Sequence, residues 1–488
     1  MRKYLTNLLS NSFVYGFTGV ISKFIGMFLL PFYTRVFSPK DYGMLDMLSL
    51  FVYISVVIVT CGLDSALFRY FFDFEKEEEK RKVSSTIIII VGLVSILFCL
   101  VLMAFRKPLS SLLFLSSEYE FYVFLALLQI PLTILATFTT SLLRIRFMPY
   151  WHTASVLIGL IITYTSSIYL ILVIKMGIPG AIIGILIGNL VQISINIILN
   201  FRFLSAGFYF DKKFLKEIFT FGSNLLPANL AQWSLIYLNR YMLLVFVGLS
   251  AVGIYSVAYR ICSIIFIINS AFQMAWPQFA FSIVNNQNSQ KIYATVFKFF
   301  LLIMISTSAF IMTFSREIIN IFTTNTYIGA LTIIGLLLLG FTFSGGYYIL
   351  SLGATLAKKT GKVSKALLFG TVINILFGVT LIPYFGTLGA VVAICIGYFI
   401  TCIYMYKYSQ KQYFIPYDIK RIVIMIINYL ILYFITITFS ESMHPIKIIA
   451  CIVFYVLNYF IVLNKEEKNF FAQFFVGRLK SFLLIKGV

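Results

Sequence analysis

A series of about fourteen apolar stretches, each close to the ~20 residues needed to cross a bilayer, is the feature that most constrains this chain. The stretches run approximately over 10–35, 42–65, 84–105, 120–142, 152–174, 178–200, 218–247, 251–282, 293–314, 328–352, 364–383, 387–407, 420–439 and 446–464. Only 11% of the residues are charged, whereas soluble domains carry about 25%. The sequence therefore predicts an all-α polytopic membrane protein without a separate soluble domain.

The basic residues lie mainly in alternate connecting segments. If the N-terminus is placed in the cytoplasm, 28 of the 38 lysines and arginines fall on the inner side and 7 on the outer side. Because short cytoplasmic loops carry an excess of basic residues, this asymmetry predicts two cytoplasmic termini and an even number of spans. The loops also explain the net charge of +21, so no nucleic-acid partner is expected.

Sequence patterns of catalytic and metal-binding proteins are missing. The six cysteines lie in apolar spans without a CxxC pair, and the two histidines are far apart, so no metal site is expected. Gly361 and Lys362 are followed by Val363, where a phosphate-binding loop needs Ser or Thr, and no GxSxG occurs. We therefore expect a protein that is not an enzyme and that has no cofactor.

An internal repeat divides the chain. Four small residues recur 209 positions later: Gly177, Gly180, Ala181 and Gly188 match Gly386, Gly389, Ala390 and Gly397. Gly43 and Gly253 match at nearly the same offset, 210 positions. Transporters are often built from such repeats. We predict a six-helix lobe over 1–210, a parallel six-helix lobe over 211–410, and two additional helices with a cytoplasmic tail over 411–488, with the glycines serving helix packing and tight loops.

The first apolar stretch, Asn11–Phe37, carries one lysine near its middle. Small residues share the helical face of Lys23, namely Ser12, Gly16, Gly19 and Gly26. A charge in hydrocarbon costs at least ~2.5–3.5 kcal/mol, so such residues usually face a cavity or the protein interior. Lys23 either snorkels to the interface or, as we expect, points into a central cavity.

The spans that open the second half are unusually polar. In Phe221–Leu243, three amides at spacings of three and seven share one face: Asn229, Gln232 and Asn239. Arg240 follows them near the outer boundary, where it could snorkel. Arg260 lies about 14 Å from the outer end of the next span at ~1.5 Å per residue, which is near the midplane.

Lys23 and Arg260 together predict a chamber with excess positive charge, which favours an anionic ligand such as a phosphate. Arg240 is a weaker candidate for the same role. Asp46, early in the second span, either pairs with one of these cations, with a role in coupling or gating, or lies in the outer interface. The alternative for Arg260 is a structural pair with Asp46 or a contact with backbone carbonyls.

Five stretches of the chain resemble the polysaccharide transporter, or Wzx-type oligosaccharide flippase, family of the MOP (MATE-like) exporter superfamily. They are LLPFYTRVFSPKDYGMLDML, CGLDSALFRYF, GIPGAIIGILIG, FGSNLLPANLAQWSLIYLNRYML and SAVGIYSVAYRICSIIFIINSAFQMAWPQFAFS. The resemblance implies about fourteen helices in two lobes that form a V around a central cavity. It also implies movement of an undecaprenyl-diphosphate-linked oligosaccharide to the outer leaflet of the bacterial inner (plasma) membrane, for cell-surface polysaccharide biosynthesis.

The resemblance also suggests roles for single residues. Lipid II flippases carry a basic residue after a serine in the first helix, as in Ser22-Lys23, and it is thought to meet the diphosphate. Many family members have an acid where this chain has Asn239, which puts cation coupling in doubt. The last two helices form a lipid-tail groove in lipid II flippases.

A sugar headgroup needs a wet polar chamber, because it cannot enter hydrocarbon without its hydrogen bonds being satisfied. Candidate sugar contacts are Asn229, Gln232, Asn239, Tyr255, Tyr259 and Gln273. Expected partners are the lipid-linked oligosaccharide, membrane lipids, and a polysaccharide polymerase with its chain-length machinery. Two alternatives stay open: a multidrug exporter, disfavoured by three cations within the spans, and a membrane polysaccharide polymerase or glycosyltransferase, disfavoured by short outer loops.

Overall fold

The structure, a computed structural model, describes residues 14, 16, 18–204, 207, 212–359, 361–439, 444–464 and 467–468. The first part of the described chain forms these α-helices: α1 (Thr18–Val36), α2 (Pro39–Thr60), α3 (Leu63–Asp73), α4 (Glu77–Ala104), α5 (Arg106–Phe114), α6 (Glu120–Ile145), α7 (Pro149–Leu172) and α8 (Ile178–Leu204). Ser12 and both predicted cytoplasmic termini lie outside the described residues.

The second part continues with longer and more bent helices. They are α9 (Lys212–Phe246), α10 (Leu249–Cys262), α11 (Ile265–Ser282), α12 (Ser289–Thr313), α13 (Ser315–Phe322), α14 (Leu331–Leu350), α15 (Leu352–Leu356), α16 (Gly361–Gln412), α17 (Ile419–Thr438) and α18 (His444–Leu457). A π-helical turn, Asn458–Val462, extends α18. The all-α polytopic architecture predicted from the sequence is confirmed.

The number of membrane-crossing helices agrees with the prediction. Eleven helical segments of the described chain are long and apolar enough to span a bilayer, and the pair α10 and α11, bent by 49°, makes a twelfth. The 35-residue α9 is long enough but more polar. The 52-residue α16 contains a sharp reversal and therefore contributes two spans. Counted in this way, the described residues form about fourteen spans.

Glycine produces the reversal inside α16. Gly386 has a φ of 54°, in the left-handed region that favours glycine, and the chain folds back on itself there. Its counterpart in the first half, Gly177, also has a positive φ, 65°, at the turn before α8. The repeat therefore places a glycine turn at the same point of each half.

The other repeated glycines bring helices into close contact. A Cβ on Gly188 would lie 2.7 Å from the carbonyl oxygen of Gly159, where α8 packs on α7. A Cβ on Gly397 would lie 2.9 Å from the carbonyl oxygen of Gly370, where the two limbs of α16 pack together. These contacts agree with a packing role for the repeat glycines. The lobe boundaries at 210 and 410 stay a prediction.

Gly43 and Gly253, the second repeated pair, touch each other's helices. A side chain on Gly43 would overlap the carbonyl oxygen of Leu249, and one on Gly253 would overlap that of Pro39. α2 begins here with a capping box, in which Ser38 and the Asp41 carboxylate each accept a hydrogen bond from the other residue's backbone nitrogen. The two halves of the chain thus meet at the starts of α2 and α10.

Further hydrogen bonds close the same end of the bundle. The Tyr327 hydroxyl donates to the carbonyl oxygen of Phe37 at 2.8 Å, and the Thr34 hydroxyl donates to that of Phe322 at 3.0 Å. Both Tyr327 and Thr34 are buried. We call this region, where α1, α2, α10 and α13 converge, the Gly43 end.

Candidate functional site

A cavity of about 400 Å³ lies where α1 approaches α9, α10, α11, α14 and α16. Lys23 is its only described lining residue from the first eight helices. The other polar lining residues are Gln232, Tyr237, Tyr259, Ser263, Asn269, Ser270, Gln273, Ser344, Tyr347 and Tyr398. We call it the Lys23 cavity. It combines one cation with amides, hydroxyls and aromatic rings.

The Lys23 ammonium group faces this cavity with few contacts. Its Nζ donates a 3.4 Å hydrogen bond to the Ser270 hydroxyl and lies 5.9 Å from the centre of the Phe266 ring. Among the described residues, no carboxylate lies within ion-pair distance of Lys23, and none lines the cavity. The side chain is exposed to the cavity rather than packed into protein. Such a cation is available to an anionic ligand.

Three of the predicted sugar contacts share the Lys23 cavity, namely Gln232, Tyr259 and Gln273. Gln232 projects from α9, Tyr259 from α10 and Gln273 from α11. Asn269, which sequence reasoning missed, also lines it: its amide donates to the carbonyl oxygen of Phe341 at 3.3 Å, and its Oδ1 has no hydrogen-bond partner in the described chain. Its signal in the sequence was its spacing of four residues from Gln273 on α11.

Arg240 lies in a separate, buried cluster. Its Nε is 2.9 Å from Asp46 Oδ2, and the Ser256 hydroxyl donates to the same oxygen at 2.7 Å. Its guanidinium carbon lies 4.1 Å from the centre of the Tyr259 ring and 5.4 Å from that of Tyr255. Arg240 is only 2% exposed, so it does not snorkel to the interface. Of the alternatives for Asp46, the pair with a cation is the one observed.

Arg260 faces the opposite half of the chain. Its guanidinium interacts electrostatically with Tyr33, Tyr42 and Tyr164, which belong to α1, α2 and α7, and also with Asp46 of α2. Among the described residues Arg260 has no carboxylate within ion-pair distance, so the alternative of a structural ion pair with Asp46 is not observed; Asp46 pairs with Arg240. Lys23 and Arg260 thus extend from opposite halves, and Arg260 is not among the described residues that line the Lys23 cavity. Their binding roles stay a prediction.

The remaining candidates lie outside the Lys23 cavity. Asn239 is fully buried, and its amide nitrogen donates to Asn374 Oδ1 at 3.1 Å. Tyr255 is also fully buried. Asn229 is exposed and does not line the cavity. Of the shared helical face, Asn229 is therefore exposed, Gln232 lines the cavity and Asn239 is buried in the core.

A polar ladder between α6 and α8 was also missed. Its amides follow one face of α8 at spacings of three and four: Asn189, Gln192, Asn196 and Asn200. They donate to Thr133, Thr140 and Thr139 and to the Thr139 carbonyl oxygen of α6. The spacing is visible in the sequence and could have predicted an interhelical hydrogen-bonded contact.

An apolar groove of about 370 Å³ lies between α17 and α18. Ile431, Leu432 and Ile435 line it from α17, and Ile449 and Val453 line it from α18. Asn428 is its single amide. The groove has the composition of a site for hydrocarbon.

The sequence pattern of the family described as polysaccharide biosynthesis protein matches residues 8–283, more than half of the 488 residues. The chain belongs to this family. The match covers every helix from α1 to α11, and so includes Lys23, Asp46, Arg240 and Arg260. The family places this member in the MOP superfamily, as the sequence resemblance indicated.

One curated relative of this family member is the uncharacterized membrane protein MJ1068 of Methanocaldococcus jannaschii. The two are 26% identical over an alignment of 228 positions that covers 43% of this chain and 42% of the relative. The match therefore spans less than half of that relative's length.

Two solved structures have the same fold as this chain. Lipid II flippase MurJ, in an inward closed conformation, is 19% identical with a TM-score of 0.68, over 92% of this chain and 98% of that one. A multidrug resistance MATE family transporter of the MOP superfamily, in an inward-facing conformation, is 16% identical with a TM-score of 0.61, over 81% and 94%. The predicted MATE-like fold is confirmed.

Proposed function

We propose that this chain is a flippase for an undecaprenyl-diphosphate-linked oligosaccharide repeat unit. It moves the repeat unit from the cytoplasmic to the outer leaflet of the bacterial inner (plasma) membrane by alternating access. The product enters the biosynthesis of a cell-surface polysaccharide of the O-antigen, capsule, exopolysaccharide or teichuronic type. A polysaccharide polymerase with its chain-length machinery is the partner that consumes it.

The observation that carries this proposal is the environment of Lys23. An ammonium group without a carboxylate partner in a low-dielectric cavity attracts an anion, and a diphosphate supplies several acceptor oxygens for it. A cationic drug would be repelled by the same group, which disfavours the multidrug exporter. Gln232, Tyr259 and Gln273 in the same cavity provide hydrogen bonds and ring faces for sugars attached to the diphosphate.

The lipid tail and the headgroup need different surroundings during transport. The groove between α17 and α18 presents aliphatic side chains to the hydrocarbon tail. The Lys23 cavity presents polar side chains to the headgroup. On the orientation predicted from the basic loops, the Gly43 end faces outward. Release to the outer leaflet then requires this end to open, so that Asp46 and Arg240 act as gating residues.

The experiment is to locate lipid-linked glycans in cells that lack this protein. The proposal predicts complete, unpolymerised repeat units trapped on the cytoplasmic leaflet, where an impermeant glycan-modifying reagent does not reach them in intact cells. Truncated repeat units would indicate a glycosyltransferase instead. Complete units already exposed on the outer leaflet would contradict the proposal and leave the polymerase or the drug exporter.

A further inference from the structure

A second polar cavity lies within the first eight helices. Its volume is about 420 Å³, within the range of ~300–1,000 Å³ typical of small-molecule sites. The residues that give it its character are Asp64 of α3, Ser141 and Arg144 of α6, His152 of α7 and Gln192 of α8. None of its described lining residues is shared with the Lys23 cavity. We call it the Asp64 cavity.

A break between α2 and α3 brings Asp64 to this cavity. α2 ends at Thr60, Cys61 is its C-cap, and Gly62 follows with a φ of 72°. α3 then begins at Leu63, so that Asp64 lies in its first turn, where a carboxylate is stabilised by the helix dipole. A Cβ on Gly62 would lie 2.7 Å from the carbonyl oxygen of Gly222, which shows that the break is tightly packed. The Asp64 side chain is exposed at the cavity wall.

Two other polar groups are oriented by their neighbours. Gln192 belongs to the ladder on α8, and its amide donates to the Thr140 hydroxyl at 3.0 Å. The guanidinium carbon of Arg144 lies 4.4 Å from the centre of the Phe68 ring. Thr140 and Phe68 line the same cavity. These contacts define the positions of an amide and a guanidinium in its wall.

The mixture of charges indicates the class of ligand. The Asp64 carboxylate disfavours a phosphate, and the Arg144 guanidinium disfavours a cation. A ligand with many hydroxyl groups is favoured, because each hydroxyl can both donate to a carboxylate and accept from a guanidinium or an amide. The lining hydroxyls of Ser65, Thr137 and Ser141 extend this hydrogen-bonding surface. Carbohydrates have this chemistry.

The first helix connects the two cavities. The Thr18 and Thr153 hydroxyls are 2.6 Å apart, and Thr153 follows His152 of the Asp64 cavity. Lys23 is five residues further along α1, which is about 7.5 Å at ~1.5 Å per residue. A headgroup with its diphosphate at Lys23 and its sugars directed toward the cytoplasm would therefore extend to the level of the Asp64 cavity.

We propose that the Asp64 cavity is a carbohydrate subsite, distinct from the Lys23 cavity, that binds the sugar part of a lipid-linked substrate. Asp64 accepts hydrogen bonds from sugar hydroxyls, and Arg144 and Gln192 donate to them. This proposal rests on the function proposed above. It divides recognition between a diphosphate site on α1 and a sugar site between α3, α6, α7 and α8.

The test compares two probes on the purified full-length protein. One is undecaprenyl diphosphate without sugar, and the other is the undecaprenyl-diphosphate-linked glycan extracted from membranes of the host. Asp64→Asn should weaken binding of the glycan-bearing lipid by about tenfold, the loss typical of a hydrogen bond to a charged group, and leave binding of the sugar-free lipid unchanged. Asp73→Asn, the control, makes the same change on the same helix but outside the cavity. It should leave the binding of both lipids unchanged.

The outcomes separate this proposal from the proposed function. If Asp64→Asn weakens binding of both probes equally, or of neither, the sugar subsite is overturned. If neither probe binds the unaltered protein, the proposed function fails and the subsite fails with it. A further outcome is that Lys23→Ala changes the binding of neither probe while Asp64→Asn still weakens binding of the glycan-bearing lipid alone. In that case Lys23 is not the diphosphate site, and the sugar subsite stands.

Discussion

At the scale of the residue, Lys23 and Arg240 show two ways of placing a cation in a membrane span. Arg240 is neutralised by Asp46 and surrounded by tyrosine rings, so its charge is satisfied within the protein. Within the described part of the chain, the Lys23 ammonium donates to the Ser270 hydroxyl and lies near the Phe266 ring, and it has no carboxylate partner. Removing a satisfied charge and removing an unpaired one have different consequences, and these can be measured.

Lys23→Ala should abolish most transport while leaving the protein folded. Loss of a hydrogen bond to a charged group costs about 1.5–3 kcal/mol, so we expect substrate affinity to fall about ten- to a hundredfold. Lys23→Arg keeps the charge and should keep much of the activity. Lys107→Ala, an exposed lysine in the first turn of α5, is the control and should be neutral. An active Lys23→Ala variant would contradict the role of Lys23 as a diphosphate ligand.

Asp46→Asn should instead destabilise the fold, because it leaves the buried Arg240 charge without its partner. Breaking a buried ion pair costs about 3–5 kcal/mol, and the 23% exposure of the Asp46 side chain places the expected loss near the lower value. Thermal unfolding in detergent measures this change. The control is Glu78→Gln, which breaks a solvent-exposed pair with Lys82 and should leave the unfolding temperature nearly unchanged. Equal effects of the two variants would contradict the account of Arg240.

The position of Lys23 could be predicted from the sequence, because one charge in a long apolar stretch has few explanations. The partner of Arg240 could not, since Asp46 lies on a different helix in the other half of the chain. Tyr237, three residues before Arg240, gave a local sign that the guanidinium lies against aromatic rings rather than in the interface. Asn239 looked like a cavity residue until Asn374 was seen to accept its hydrogen bond.

At the scale of the element, glycines decide how closely the helices approach. The repeat was visible in the sequence because glycine spacing is preserved where backbones touch. What the sequence did not reveal is that Gly43 and Gly253 meet each other's helices. Matching positions in two halves need not be neighbours, and only the packed structure shows this contact.

Gly43→Ala should separate the starts of α2 and α10, because its methyl group would overlap the Leu249 carbonyl oxygen. Overpacking of this kind costs about 1–3 kcal/mol, enough to favour an arrangement in which the Gly43 end is open. Spin labels at exposed Lys40 and Ser250 report the distance across this contact. Gly19→Ala is the matched control, since no atom of a neighbouring helix lies within 4 Å of the place its methyl group would take. An unchanged label distance in Gly43→Ala would contradict this prediction.

At the scale of the whole molecule, the charge asymmetry predicts which end of the bundle faces the cytoplasm. Lys76, before α4, and Lys107, in the helix after it, lie at opposite ends of α4. Cysteines replacing them in a variant without other cysteines should differ in labelling by an impermeant thiol reagent on intact cells. We expect Lys107→Cys to react and Lys76→Cys to react only after lysis. The reverse pattern would invert the orientation and place the Gly43 end inside.

The most direct test of the account is transport by the purified protein in liposomes. The substrate is an undecaprenyl-diphosphate-linked glycan with a fluorescent label on its sugar, and the readout is the fraction that an impermeant quencher reaches. We expect the unaltered protein to equilibrate the lipid between leaflets and Lys23→Ala, at equal protein content, to do so much more slowly. Equal rates for Lys23→Ala and the unaltered protein, or no movement above protein-free liposomes for either, would contradict it.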